Sequence, residues 1–159
     1  MRELNHLSEV INAYETFVID LWGVMHNGIK LNEKAMEAVK ELRIKSKKIV
    51  FLSNAPRPSL KVIDFLMKMK MGKQYLSNVM TSGEAAMQAI NHNKFGKNFF
   101  HLGPPRDSSI FEKVKDNLST IDDCDFILCT GLFDEDQPNH NKPQLHENDL
   151  DYYRNFLIK

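Results

Sequence analysis

The sequence alternates short apolar segments, rich in β-branched and aromatic residues, with longer segments of helical periodicity. The short segments, which we expect to be strands, lie at residues 16–20, 48–52, 78–80, 98–102 and 125–129. This alternation predicts βαβ units and a mainly parallel sheet, because parallel strands need a crossover between them. Right-handed crossovers place the carboxyl ends of the strands at one edge, where open α/β sheets bind ligands.

Start signals precede the predicted helices. Asn32 is a capping residue, Pro58 suits a first helical turn, and Thr81 and Glu84 have the spacing of a capping box. The helix after Pro58 is expected to stop at Gly72 and to bury Leu60, Ile63, Leu66 and Met67. Further helices are expected at about residues 108–118 and from about Asn148.

Composition excludes several classes of protein. The chain has 159 residues, 42% of them hydrophobic and 26% charged, which is ordinary for a globular domain. Lys+Arg and Asp+Glu number 21 each, so no net charge indicates a nucleic acid or an anionic membrane as partner. No apolar run has the length of a membrane span, and the first ten residues lack a signal-peptide core. Cys124 and Cys129 are too few for a disulfide framework or a closed zinc site, so we expect reduced thiols and a cytoplasmic protein.

Two polar residues, Asp20 and Ser53, stand where the first two predicted strands end. A carboxylate in this position can attack an electrophile or bind a divalent cation. The Ser53 hydroxyl, with the amides of Ser53 and Asn54 before a helix, can hold phosphate oxygens. Arg57 can meet an anionic substrate, although an exposed loop arginine fits the pattern as well. Taken singly, each residue also fits an ordinary strand end or turn, but Asp20 and Ser53 together favour a site.

These residues carry a family resemblance. DLWGV after an apolar strand, SN after the next strand, and the Pro-rich helix entry resemble motifs one and two of the haloacid dehalogenase superfamily. The later runs NVMTSGEAAMQAI, NFFHLG and DFILCTGLFDED resemble its branch of nitrophenylphosphatase-like and sugar-operon phosphatases, which insert a cap after motif two. The resemblance extends from residue 15 over most of the chain. It implies a Rossmann-like parallel sheet flanked by helices, with half of the core at residues 1–82 and part of an α/β cap at 83–159.

The resemblance also implies an activity, the magnesium-dependent hydrolysis of a small phosphorylated metabolite. Asp20 would attack the phosphoryl group and form an aspartyl phosphate that water then cleaves. Mg²⁺ would contact Asp20 and the backbone carbonyl of Trp22. Ser53 would bind the phosphoryl oxygens, and the cap would close over the site.

The chain departs from the family pattern in two ways. The usual motif is Asp-x-Asp, whose second carboxylate transfers protons, whereas this chain has Trp22 there, and loss of such a group costs about 10²- to 10⁴-fold in rate. His26 is the nearest titratable substitute, with a plain turn residue as the alternative. The family's later lysine and G-D-x-x-x-D motif are also missing, and the chain ends at Lys159 within a cap-like segment. We therefore expect the N-terminal portion of a longer protein or a shortened product, with an incomplete magnesium site and weak or absent catalysis.

Two other functions are alternatives to a phosphatase, and an incomplete sheet would affect association. A non-catalytic module that binds phosphate ligands or serves in assembly is favoured by Trp22. A nucleotide-binding Rossmann domain is disfavoured because no G-x-G-x-x-G follows the first strand. A partial sheet would leave an apolar face or edge uncovered, so we expect either association with another copy, through the exposed sheet or the cap, or poor solubility.

Overall fold

The computed structural model describes residues 6–131, 151, 153–155, 157 and 158. The predicted polar loop, with acidic residues at 134–136 and with His140 and His146, lies outside the described residues from position 132 onward. Asn148, the predicted start of the last helix, lies outside them as well, but residues 151, 153–155 and 157 are helical. Among the described residues, no helix has the length and apolar composition of a membrane span.

The structure is mixed α/β, as predicted, with parallel sheets flanked by helices. The strands and α-helices are β1 (Thr16–Asp20), α1 (Glu33–Ile44), β2 (Lys48–Ser53), α2 (Ser59–Lys68), β3 (Val79–Thr81), α3 (Ser82–Asn91), β4 (Phe99–Leu102) and β5 (Phe126–Cys129). Short 3₁₀ helices lie at Leu7–Glu9, Lys73–Tyr75, Pro105–Ile110 and Glu112–Asn117. Helix α1 begins as predicted, since the Asn32 side chain accepts a hydrogen bond from the Ala35 N–H.

The five described strands form two parallel sheets. Strands β1, β2 and β3 pair in sequential order, and β4 pairs separately with β5. Phe51 at the centre of the first sheet has no exposed surface and belongs to a core with Val39 of α1 and Leu66 of α2. One face of this sheet is therefore covered by α1 and α2. The parallel pairing of β1, β2 and β3 places their carboxyl ends at a common edge.

The opposite face of the first sheet is apolar and exposed. Val18, Leu52 and Met80 are 63%, 48% and 40% exposed. The register pairs Val18 with Val50 and Leu52 with Met80, so these side chains share one face. Contiguous apolar surface of this kind marks interaction sites.

We propose that a second copy of the chain covers this exposed face, and we expect light scattering to show a dimer or larger species. Val18→Lys should shift the population toward monomer, because a charge placed within the apolar patch would lose its hydration when the face is covered. Leu60→Lys is the matched control, since Leu60 is 72% exposed on α2. A monodisperse wild-type monomer would contradict the proposal.

Helix α2 differs from its predicted orientation and length. Its buried residues are Ser59, Val62 and Leu66. Of the four residues predicted to be buried, Leu66 is buried and Ile63 packs partly buried against the core, whereas Leu60 and Met67 are exposed. The helix carries two overlapping apolar stripes at helical spacing, and packing against the sheet selects one of them. The helix also ends at Lys68 rather than at Gly72, because Lys70 adopts a left-handed conformation with φ of 69°.

The prediction of an α-helix at residues 108–118 is wrong. Two 3₁₀ helices occupy this segment, and Val114 within the second has non-helical backbone angles. Ile110 and Phe111 are buried against Phe99 of β4 and Ile90 of α3, forming the core of the second sheet. Consecutive buried side chains at 110 and 111 fit a tight turn over a small core better than a continuous α-helix, which buries one stripe.

A histidine of the second sheet should make stability depend on pH. His101 Nε2 lies 2.9 Å from Thr130 Oγ1, and burial lowers the His101 pKa below its ordinary 6.5, while Asp107 opposes this shift. The unfolded chain therefore binds more protons as pH falls through about 6.5, so the free energy of unfolding should fall below that pH. Burial also lowers the pKa of His26, which adds a change of the same sign.

We expect the free energy of unfolding, measured with urea, to fall less between pH 8 and pH 5 in His101→Gln than in the wild type. The glutamine amide can keep the contact with Thr130 but takes up no proton. At pH 8 both the histidine and the glutamine side chain are uncharged. A difference in free energy of unfolding between the two proteins at that pH therefore measures the packing change alone. An equally steep pH dependence in both proteins would contradict the assignment.

Candidate active site

Three neighbouring strands end in polar residues at the carboxyl edge of the first sheet. Asp20 ends β1, Ser53 ends β2 and Thr81 ends β3, and the register places Ser53 directly opposite Thr81. Asp20 pairs with Leu52, one residue before Ser53. The structure therefore brings Asp20 and Ser53 to adjacent strand ends, where the sequence places a site.

The Asp20 carboxylate is exposed and oriented. Its Oδ1 accepts a hydrogen bond from the Leu21 N–H at 2.8 Å, and the Leu21 side chain is buried below it. This bond holds one carboxylate oxygen at the strand end and leaves Oδ2 without a hydrogen bond from the described residues. A fixed, solvent-facing carboxylate can attack an incoming electrophile or bind a cation.

Ser53 is buried, and the loop that follows it is held by α3. The Ser53 Oγ accepts a hydrogen bond from the Ala55 N–H at 3.3 Å. The Ala55 carbonyl accepts from the Gly83 N–H at 3.1 Å and from the Ser82 hydroxyl at 3.0 Å. A Cβ at Gly83 would overlap the Arg57 backbone, so glycine permits this close approach.

The predicted capping box at the start of α3 forms only in part. The Thr81 Oγ1 accepts from the Glu84 N–H at 3.0 Å, as predicted, and donates to the Arg57 carbonyl at 2.5 Å. Glu84 instead accepts from the Ser59 N–H at 3.1 Å and so caps α2, which lacks a side-chain cap of its own. A carboxylate at this helix start is favourable. The loop that bears Asn54 and Arg57, both with exposed side chains, is thereby tied to α3.

An aromatic cluster lies next to Asp20. Trp22 is 62% exposed and meets the His26 ring edge to face, with centroids 5.5 Å apart. His26 is buried and meets Phe65 of α2 in the same manner, also at 5.5 Å. We call Trp22, His26 and Phe65 the aromatic cluster.

His26 is part of the structure of this turn. Its Nδ1 accepts a hydrogen bond from the Gly28 N–H at 3.1 Å, so in the neutral ring the proton is on Nε2. Burial lowers the pKa of His26, and the nearby Asp20 carboxylate opposes that shift. The imidazole is therefore predominantly neutral at pH 7, with one nitrogen already engaged.

Gly28 supports the indole of Trp22. It has φ of 87°, and a Cβ there would lie 2.8 Å from Trp22 Cη2. Gly23 has a similar φ of 78°, but a Cβ there would meet nothing within 4 Å. A Cβ at position 28 would therefore meet the Trp22 indole, whereas a Cβ at position 23 would not.

This difference yields a matched pair of substitutions. Gly23→Ala and Gly28→Ala should each cost roughly 1–2 kcal/mol in free energy of unfolding, because alanine disfavours the left-handed conformation. Only Gly28→Ala should also displace the indole and change the fluorescence of Trp22, the single tryptophan. Denaturant unfolding and emission spectra measure both effects. Identical spectra for the two variants would contradict the packing of Trp22 on Gly28.

The oxygen atoms at this edge suit a hard divalent cation. The Asp20 carboxylate and the backbone carbonyl of Trp22 are the oxygen ligands that Mg²⁺ prefers, and the Trp22 carbonyl accepts no backbone hydrogen bond from the described residues. Within those residues, no three His, Cys, Asp or Glu side chains are grouped as metal ligands.

Sequence reasoning predicted the polar residues at these strand ends but not the residues that support them. Phe65, Gly28 and the capping of α2 by Glu84 were not expected. The HNG sequence at 26–28 was a usable signal for a left-handed glycine. The contact of Phe65 with His26 had no signal, because it joins segments far apart in the chain.

Comparisons with known proteins agree with this architecture. A family model described as haloacid dehalogenase-like hydrolase matches residues 17–115. A hydrolase of the haloacid dehalogenase-like family from Brucella suis has a similar fold, with a TM-score of 0.77 at 24% identity over 96% of this chain and 56% of that one. The 4-nitrophenylphosphatase of Thermotoga maritima has a TM-score of 0.59 at 24% identity, with coverage of 93% and 52%.

A third solved structure contains a metal ion. The glycerol phosphate phosphatase of Mycobacterium tuberculosis, solved in complex with magnesium, has a TM-score of 0.57 at 17% identity, covering 94% of this chain and 42% of that one. The comparison with curated proteins gives no match to this sequence. The chain thus spans about half the length of the first two structures.

Proposed function

The chain belongs to the haloacid dehalogenase-like hydrolase family, and from this premise we propose that it hydrolyses phosphate monoesters of small metabolites through a phosphorylated Asp20. One observation carries the proposal: Asp20 and Ser53 lie at adjacent strand ends. The phosphatases named among the structural neighbours support the reaction class.

In the proposed first step, Asp20 Oδ2 attacks the phosphorus and the P–O bond to the leaving group breaks. The leaving alkoxide takes a proton from water or from His26, because the Trp22 indole has no acidic proton to give. Ser53, with Asn54 and Arg57, would bind the phosphoryl oxygens through hydroxyl, amide and guanidinium donors. In the second step, water attacks the phosphorus of the aspartyl phosphate, and phosphate and the free carboxylate are released.

Mg²⁺ is the expected cofactor, held by the Asp20 carboxylate and the Trp22 carbonyl. When bound, it would supply positive charge to the phosphoryl oxygens. The protein itself orients the Asp20 carboxylate, since the Leu21 N–H donates a hydrogen bond to Asp20 Oδ1 at 2.8 Å. Isothermal titration with Mg²⁺ alone, comparing wild type with Asp20→Asn, measures this binding independently of activity.

His26 is the remaining candidate for proton transfer to the leaving group. The Asp20 carboxylate lies close enough to influence its pKa. Its burial and the hydrogen bond to Gly28 equally support a purely structural role. The pH–rate profile of His26→Gln decides between the two, because an unchanged profile excludes proton transfer by the imidazole.

Trp22 favours a second candidate function, binding of phosphate ligands without hydrolysis. An exposed indole occupies the position at which the family uses a proton-transferring carboxylate. The two functions differ in one experiment, incubation with 4-nitrophenyl phosphate and Mg²⁺. Hydrolysis that is absent from Asp20→Asn supports catalysis, whereas saturable binding without product supports the binding module.

A further inference from the structure

The exposed face of Trp22 lies beside the proposed nucleophile. Trp22 is the only tryptophan of the chain and is 62% exposed, whereas Leu21 before it is 1% exposed. Only Leu21 separates Asp20 from Trp22, and both residues lie near His26: the indole contacts the His26 ring at 5.5 Å, and the Asp20 carboxylate is close enough to oppose the lowering of that ring's pKa by burial. A large aromatic ring that stays exposed indicates a contact surface, because burial of such a ring is strongly favourable.

The indole is held in place although it is exposed. Its edge rests on Gly28, a position where any Cβ would lie 2.8 Å away. The buried His26 ring packs against it and is itself supported by Phe65 and by the hydrogen bond from the Gly28 N–H. A ring fixed in this way loses little conformational entropy when a ligand contacts it.

We propose that the Trp22 indole is the contact surface for the leaving group, so that the site prefers phosphate monoesters of aromatic alcohols to those of small polyols. This inference rests on the proposed binding of phosphate esters at Asp20 and Ser53. A flat aromatic group can stack on the indole, with a gain beyond simple burial. The indole itself offers the hydroxyls of a polyol a single hydrogen-bond donor, its N–H.

The test uses Trp22 as its own reporter. Phenyl phosphate, glycerol phosphate and inorganic phosphate are titrated into the full chain carrying Asp20→Asn, so that no hydrolysis interferes. We expect phenyl phosphate to quench the tryptophan emission saturably and to bind roughly two- to tenfold more tightly than glycerol phosphate, the range of an aromatic stacking contact. Calorimetry gives the affinities independently of fluorescence.

Variants at position 22, made in the same background, separate stacking from phosphate binding. Trp22→Ala should lower the affinity for phenyl phosphate to that for glycerol phosphate, and Trp22→Phe should keep most of the preference. Tyr14→Ala is the matched control, because Tyr14 is 58% exposed and precedes the opposite end of β1. It should change neither affinity.

The outcomes separate this inference from the proposed function. An aryl preference that depends on Trp22, together with no hydrolysis by the wild-type chain, overturns catalysis and supports the stacking surface. Equal affinities for the two esters, or a preference that survives Trp22→Ala, overturn the stacking surface while leaving the nucleophile in place. Failure of all three ligands to bind overturns the inference as well.

Discussion

Asp20→Asn is expected to reduce magnesium-dependent hydrolysis of 4-nitrophenyl phosphate to the rate in buffer, a loss on the order of 10³-fold or more relative to an active wild type. An amide of the same shape cannot attack phosphorus to form the acyl phosphate. The Asp20 side chain is exposed, and within the described residues its one hydrogen bond is from the adjacent Leu21 N–H to Oδ1. The substitution should therefore leave folding intact, which circular dichroism and thermal unfolding check.

The control for this experiment is Asp116→Asn, which removes an exposed carboxylate from the second 3₁₀ segment at Glu112–Asn117. It should hydrolyse the ester at the wild-type rate. Turnover that survives in Asp20→Asn would show that another group, or a contaminating phosphatase, performs the reaction. Rapid wild-type turnover that disappears in Asp20→Asn would confirm the nucleophile and contradict the sequence-based expectation of weak catalysis.

Trp22→Asp is expected to raise the rate of hydrolysis, by about 10²- to 10⁴-fold for an alkyl ester such as glycerol phosphate. The carboxyl group would protonate the leaving alkoxide and then activate water for the second step. Position 22 is 62% exposed, so a carboxylate placed there is not forced into the core. The gain should be much smaller for 4-nitrophenyl phosphate, because nitrophenolate leaves readily without a proton.

Trp22→Asn is the matched control, since it removes the indole and has nearly the size of aspartate but transfers no proton. A gain that requires aspartate should also introduce a new limb in the pH–rate profile, because one protonation state of the added carboxyl is needed. Equal rates for the aspartate and asparagine variants would mean that loss of the proton donor does not limit this chain. Steady-state rates with both esters measure all of these outcomes.

Much of the local structure could be predicted from short stretches of sequence. Asn32 and Thr81 accept the capping hydrogen bonds expected of them, since capping depends on a side chain and an amide a few residues apart. The adjacency of Asp20 and Ser53 was predictable for a different reason. Parallel strands joined by crossovers end at one edge, whatever the details of their packing.

Predictions that depended on contacts between distant segments were less successful. Leu60 and Val62 of α2 are both apolar, and packing of the helix against Phe51 determines which stripe is buried. Glu84 was predicted to cap its own helix, but the loop after Ser53 brings the Ser59 N–H within 3.1 Å of it. The Glu84 carboxylate can accept from either N–H, and the tertiary structure places that of Ser59 within reach. The spacing of residues in the sequence cannot predict which N–H is chosen.

The sequence by itself determined the α/β class, the strand order along the chain and the strand-end positions of Asp20 and Ser53, because these follow from periodicity and from the geometry of parallel crossovers. Only the tertiary structure decided what surrounds them. It separated the strands into two sheets, left the face around Val18 exposed, and set the Trp22 indole on Gly28 beside a buried His26. The physical reason is that the segments involved have similar local preferences in several arrangements. Contacts between residues far apart in the sequence determine which arrangement forms.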